Sequence, residues 1–236
     1  MDFSERSTVE EHMDNPNLDR ESFRTAYLDI NRCNSLLGGM SITIKAIKSL
    51  MKKHPQKSYT IFDMGCGDGF MLRKIAKTFE NEAIGLSLVG IDLREDILSI
   101  ARSASVDYGS IEYRKANILE LHKVEKCDIL LCTLTMHHFE EKNILRFIQK
   151  FSELAKLGTI VNDLQRSKLA YHLFELFSFF FLRTTIAKED GLISISKGFR
   201  KLELDKMATR FKKMHHTIEW KWAFRYLWVM EPLQSN

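Results

Sequence analysis

The chain has 236 residues, 44% of them hydrophobic and 28% charged, which suits one globular core with a small appendage. Only three prolines and no low-complexity tract exclude long disordered linkers. The formal charge of +4 is mild, since 35 basic residues nearly balance 31 acidic ones.

In chain order, the residues up to Asn17 are polar and read as a mobile start. From Leu18 to Lys53 the pattern predicts two helices separated near Leu36–Gly39. Beyond Pro55, apolar runs predict strands at Thr60–Met64, Leu86–Asp92, Ile111–Ala116, Asp128–Cys132 and Thr159–Asp163. Helical patterns at Phe70–Phe79, Arg94–Ser103 and Glu141–Leu157 alternate with them. Such alternation predicts βαβ units and a mainly parallel sheet with helices on both faces. Two adjacent β-rich runs, Thr217–Trp222 and Phe224–Met230, predict a final hairpin with one antiparallel strand. The expected division is a helical extension over residues 1–57 and a catalytic domain over residues 58–236. Within the latter, residues 164–214 form an insertion between strands five and six, over the carboxyl edge of the sheet.

Four features complete the bulk reading. The four cysteines form no Cys-x-x-Cys pair and no secretory signal precedes them, so reduced thiols in a cytoplasmic protein are expected. The apolar stretch Tyr171–Leu182 is far short of the roughly 20 residues that span a bilayer. Its Phe174, Phe177, Phe180 and Phe181 are candidates for an apolar pocket wall, with helix packing as the equal alternative. The basic patch Lys206, Arg210, Lys212 and Lys213 reads as the solvated face of a helix.

The stretch "FDMGCGDG" joins a strand to a helix through alternating glycines, a turn that lets a nucleotide-like ligand approach the backbone. A dinucleotide turn reads Gly-x-Gly-x-x-Gly, but here Phe70 occupies the third position and Gly69 arrives one residue early. Acids close the first two strands, Asp63 beside the turn and Asp92 in "LVGIDL". A carboxylate there disfavours a pyrophosphate and favours a cationic, amino-bearing ligand. Asp92 is placed to accept hydrogen bonds from ribose hydroxyls. The pattern favours a nucleoside with a positively charged amino-acid arm, such as S-adenosylmethionine.

On these residues the sequence resembles the class I S-adenosylmethionine-dependent methyltransferases, small-molecule branch, similar to ubiquinone and menaquinone methylases and bacterial natural-product O-methyltransferases. The resemblance covers about Tyr59 to Asp163 well. It implies a doubly wound, Rossmann-like α/β fold with a mainly parallel seven-stranded sheet. It also implies cofactor contacts from Asp63, Gly65, Cys66, Gly67, Asp92, Leu93, Asn117, Ile118 and Thr133. "KANI" sits where the family reads adenine, with Asn117 in place of a common Asp. "CDILLCTLTMHHF" looks like the fourth strand and the loop after it, and carried over from related O-methyltransferases, His137, His138 and Asp163 approach the acceptor oxygen. Neutral imidazole suits removal of a phenolic proton, whereas Asp163 could instead cap the following helix. No metal is required, and the adjacent His215 and His216 point to opposite faces of a strand.

The function expected is methyl transfer to a small, apolar, phenolic or polyketide- or quinol-like acceptor, at oxygen. The alternatives are carbon methylation of a quinol, a nucleic-acid methyltransferase, and a cofactor-binding module without turnover. The chain lacks an Asn/Asp-Pro-Pro-Tyr/Phe motif after the fourth strand, which argues against the nucleic-acid branch.

Overall fold

In the computed structural model, described over residues 2–15, 17–121 and 125–233, two helices precede an α/β core. They are α1 (Arg20–Leu36) and α2 (Gly39–Lys53). Asp19 caps α1 by accepting the Ser22 N–H. The core then runs β1 (Ser58–Met64), α3 (Phe70–Phe79), β2 (Gly85–Asp92), α4 (Glu95–Ala104), β3 (Ile111–Lys115), β4 (Cys127–Thr133), α5 (Glu141–Leu154) and β5 (Ala155–Leu164). Three helices follow, α6 (Lys168–Phe181), α7 (Thr185–Lys197) and α8 (Lys201–Ala208), before β6 (Met214–Lys221) and β7 (Arg225–Pro232).

The seven strands lie in the order β3-β2-β1-β4-β5-β7-β6. Strands β1 to β5 pair in parallel, and β7 runs antiparallel to both β5 and β6. This is the doubly wound architecture expected. Strand periodicity divides the core between the two faces. Ile61, Ile129 and Ile160 pack with Ile47, Leu50, Leu72 and Ile75 on one side, and Phe62, Leu130 and Val161 with Phe147, Ile148 and Phe151 on the other. The order reverses direction between β1 and β4, so ligands are expected in the crevice at the carboxyl ends of those strands.

Three details differ from the sequence reading. The helix expected to reach Leu157 stops at Leu154, because Ala155 already pairs with Cys127 and a bulge precedes the Ile129–Gly158 pairing. Residues 2–15 pack against the core: Phe3 and Met13 are buried, and Arg6 donates to the carbonyls of His137, Phe139 and Lys197. The basic patch is not one helical face, since only Lys206 lies in α8 while Arg210, Lys212 and Lys213 follow it.

Among the described residues no helix is long and apolar enough to cross a membrane. α6 carries apolar residues all round. Phe174 and Phe177 face inward, while Leu176, Phe179, Phe180 and Phe181 are exposed.

Candidate active site

The carboxyl ends of β1, β2 and β4 open into a cavity of about 740 Å³, closed by α1, α6 and α7. Its floor is the glycine turn. Gly65 and Gly67 have φ of 71° and 54°, where a side chain is strained. A Cβ on Gly65 would sit 2.4 Å from Thr135 Cγ2, and one on Gly67 would sit 2.8 Å from the Tyr27 ring. The cradle thus needs glycine for conformation and for space.

Two buried acids edge this floor. Burial, with Asp92 nearby, pushes Asp63 up to about 8. Asp92 accepts the N–H groups of Gly67 at 3.0 Å and Arg94 at 3.1 Å, tying the turn to β2. Burial raises its carboxyl too, opposed by those hydrogen bonds. A positive group placed here would restore the charge of Asp63, so the donor set fits a nucleoside with an ammonium arm.

Of the expected cofactor residues, Asp63, Gly65, Cys66, Gly67, Asp92, Leu93, Ile118 and Thr133 all line the cavity. Asn117 does not. Its Oδ1 accepts the Leu119 N–H and its amide donates to Glu120, which caps a short turn at Ile118–Glu120. Ile118, buried beside it, faces the cavity instead.

The histidine pair stands on a short turn, Met136–His138, beyond β4. Leu134, at φ 52°, bends the chain there, and its N–H is held by the Asn162 carbonyl at 3.0 Å. His137 and Asp163 come together: Nδ1 lies 2.6 Å from Oδ1, and the His137 backbone N–H donates to Oδ2. Burial acts to raise the Asp163 carboxyl, but the charge and hydrogen bond of His137 outweigh it and hold the acid below its usual range. Asp163 therefore does not cap the next helix; Ser167 does, accepting the Ala170 N–H. The acid stands behind His137, which lines the cavity while Asp163 does not. Among the described residues His137 Nε2, which is buried, has no hydrogen-bond partner.

His138 lies 3.6 Å from Asp14 Oδ2 and 3.7 Å from Glu11 Oε1. Burial pulls its imidazole down, but the two acids prevail and raise it. Glu11, buried, also lies 3.7 Å from His137 Nε2 and accepts from Ser194 Oγ at 2.9 Å. Among the described residues, Glu11, His137 and His138 are the one group whose ligand atoms are close enough to share a metal ion. Lys197 Nζ, 3.5 Å from Glu11, already supplies a cation there.

Glu11, Asp14, Tyr27, Lys197 and Arg225 escape sequence reasoning. Each comes from a segment with no motif of its own, and only packing brings it to the cavity or to the histidines at its edge. Of the phenylalanines, Phe174 and Phe177 line the cavity; Phe180 is exposed on the outer face of α6 and Phe181 lies outside the lining. The separation follows from the 100° step between helical residues.

Comparison with known proteins agrees with this fold. A family model described as a methyltransferase domain matches residues 61–158. The ubiquinone biosynthesis O-methyltransferase of Hahella chejuensis is 33% identical over 81 residues, 33% of this chain and 32% of that protein. Malonyl-[acyl-carrier protein] O-methyltransferase 1 of Ilyobacter polytropus is 23% identical over 148 residues, 63% of this chain and 50% of that protein. The chain spans about half the length, or less, of the curated relatives it matches. The plantazolicin methyltransferase BpumL, in complex with a pentazolic desmethylPZN analog and SAH, shares the fold at a TM-score of 0.68. That match covers 88% of this chain and 91% of that one, at 14% identity. Residues 61–158 therefore match a methyltransferase domain, and the chain shares its fold with solved methyltransferases.

Proposed function

We propose that the protein transfers a methyl group to the hydroxyl oxygen of a small, apolar, aromatic acceptor such as a phenol, using His137 as general base. The observation that carries this reading is the buried pair of His137 Nδ1 and Asp163 Oδ1 at 2.6 Å. With Nδ1–H donated to the carboxylate, the lone pair stays on Nε2, which has no other hydrogen-bond partner. A phenolic proton passes to Nε2, and Asp163 stabilises the imidazolium that forms. The acceptor oxygen, freed of its proton, then attacks in line. The cofactor supplies a methyl carbon activated by an adjacent sulfonium. What remains for the protein is positioning and exclusion of water.

The walls support an apolar acceptor. Beyond the glycine turn the cavity is faced by Met13, Phe23, Ile30, Leu173, Phe174 and Phe177. Residues 2–15, α1, α6 and α7 act in this reading as a cover over the domain, and the chain is expected to work in the cytoplasm.

The test is transfer of labelled methyl from S-adenosylmethionine to a panel of phenols and quinols, with the product's new bond identified. A methyl ether sustains the proposal, and a new carbon–carbon bond replaces it with ring methylation. With an O-methylated acceptor in hand, His137→Ala lowers kcat roughly 10²- to 10⁴-fold while cofactor affinity stays within about twofold. Wild-type turnover in that variant removes His137 as the base.

A further inference from the structure

Arg225 is a charged group on the cavity wall that the proposed proton transfer does not use. Arg225 opens β7, pairs in register with Leu164 and lines the cavity. It is 3% exposed, and its Nε and Nη1 are buried without a hydrogen-bond partner among the described residues. Guanidinium groups are rarely buried without a partner, because leaving a buried donor unpaired costs its full desolvation, more so for a charge. The acid that acts on it, Asp163, is already committed to His137 and to the Leu164 N–H. Asn34 Oδ1, also unpaired, flanks the guanidinium beside Gly39, and a neutral carbonyl does not balance the charge.

Position indicates what the group meets. The sheet order runs β1-β4-β5-β7, so Arg225 stands three strands from the glycine turn, about 14 Å across at roughly 4.8 Å per strand. It is one strand beyond Asp163, with Phe224 beside it on the cavity wall. Its surroundings belong to the acceptor half of the cavity and not to the floor.

We propose that Arg225 binds a carboxylate of the acceptor, so that the substrate class is an apolar aromatic hydroxy acid. A planar guanidinium on the cavity wall suits a carboxylate. Anchored there, the acid's ring lies along the apolar wall and its hydroxyl is presented toward His137. The assignment rests on the proposed methyl transfer for its consequence, whereas the binding itself is measurable without turnover.

The probes are an alkylated hydroxybenzoate and its methyl ester, titrated calorimetrically into protein saturated with S-adenosylhomocysteine. The wild type binds the acid at least tenfold more tightly than the ester. Arg225→Met binds both equally and melts at a higher temperature, since an unpaired buried charge has gone, and Arg225→Lys keeps part of the preference. S-adenosylhomocysteine affinity stays within about twofold in both variants. No preference for the acid in the wild type overturns the proposal. So does loss of S-adenosylhomocysteine affinity in a folded Arg225→Met or Arg225→Lys, which would assign the guanidinium to the cofactor's own carboxylate. Acid preference without methyl transfer sinks the proposed reaction alone, and methyl transfer with equal use of acid and ester sinks this site alone.

Discussion

The glycine turn and the acceptor wall differ in how far apart in the chain their parts lie. The turn's residues run from Asp63 to Asp92, at the ends of two neighbouring parallel strands joined through α3. The acceptor wall draws on residues 11–37, the loop at 133–139, α6, α7 and the start of β7. One ligand half is thus a local device carried by a βα unit, and the other is an assembly that exists only when distant segments pack. Local devices keep their spacing wherever they occur, which is why they leave a motif. Assemblies leave only scattered residues, each plain in its own neighbourhood.

The comparison can be broken most sharply at the floor. Gly67→Arg forces a side chain into φ 54° with the Tyr27 ring 2.8 Å from its Cβ. Cofactor affinity is expected to fall more than about 100-fold, equivalent to over ~2.7 kcal/mol. Calorimetric titration of S-adenosylhomocysteine into the folded variant checks it, and binding at wild-type strength would show that the turn is not the cradle.

Asp63 offers the next largest effect, seen in stability and binding together. Its folded carboxyl lies at about 8 against an ordinary value of 3.8, so the folded state keeps a proton that the unfolded state releases. Stability attributable to this group is therefore lost as pH rises from about 4 to about 8. Asp63→Asn removes that loss. Its gain in unfolding free energy is expected to grow from near nothing at the acid end to a few kcal/mol near pH 8. Affinity for the ammonium-bearing cofactor is expected to fall in the same variant. Denaturant titrations across that pH range read the first, and calorimetry the second. A gain independent of pH would remove the raised carboxyl as its cause.

The smallest effects separate the two faces of α6. Phe177→Ala removes a ring from the cavity wall, and contact worth about 1.5–3 kcal/mol predicts roughly a tenfold or greater rise in KM for an apolar acceptor. Phe180→Ala removes a ring that is 69% exposed, and leaves KM and Tm unchanged. Equal responses from the two would mean that the helix touches no acceptor.

Much of the fold was legible. The strand runs, the three core helices and the break at Leu36–Gly39 are readable because alternation and helical spacing are properties of neighbouring residues. The end of α5 was not, since Ala155, Lys156 and Leu157 continue a helical pattern and only pairing with β4 converts them to strand. The site divides the same way. The glycine turn was placed between strand and helix from spacing, whereas Asn117, expected to contact adenine, accepts the Leu119 N–H and does not line the cavity. Glu11 lay in a polar start that gave no sign of packing beside the histidines.

By itself the sequence determined a βαβ core, a glycine turn suited to a nucleoside with a charged arm, and an acid at the end of each of the first two strands. Backbone conformation and strand order are local or nearest-neighbour matters, decided by residues within one βα unit. Only the tertiary structure decided that Asp163 holds His137, that residues 2–15 bring Glu11 and Asp14 to the histidines, and that Arg225 Nε and Nη1 are buried unpaired among the described residues. Those relations depend on which surfaces exclude water together, and that is settled by the packing of segments from 26 to more than a hundred residues apart.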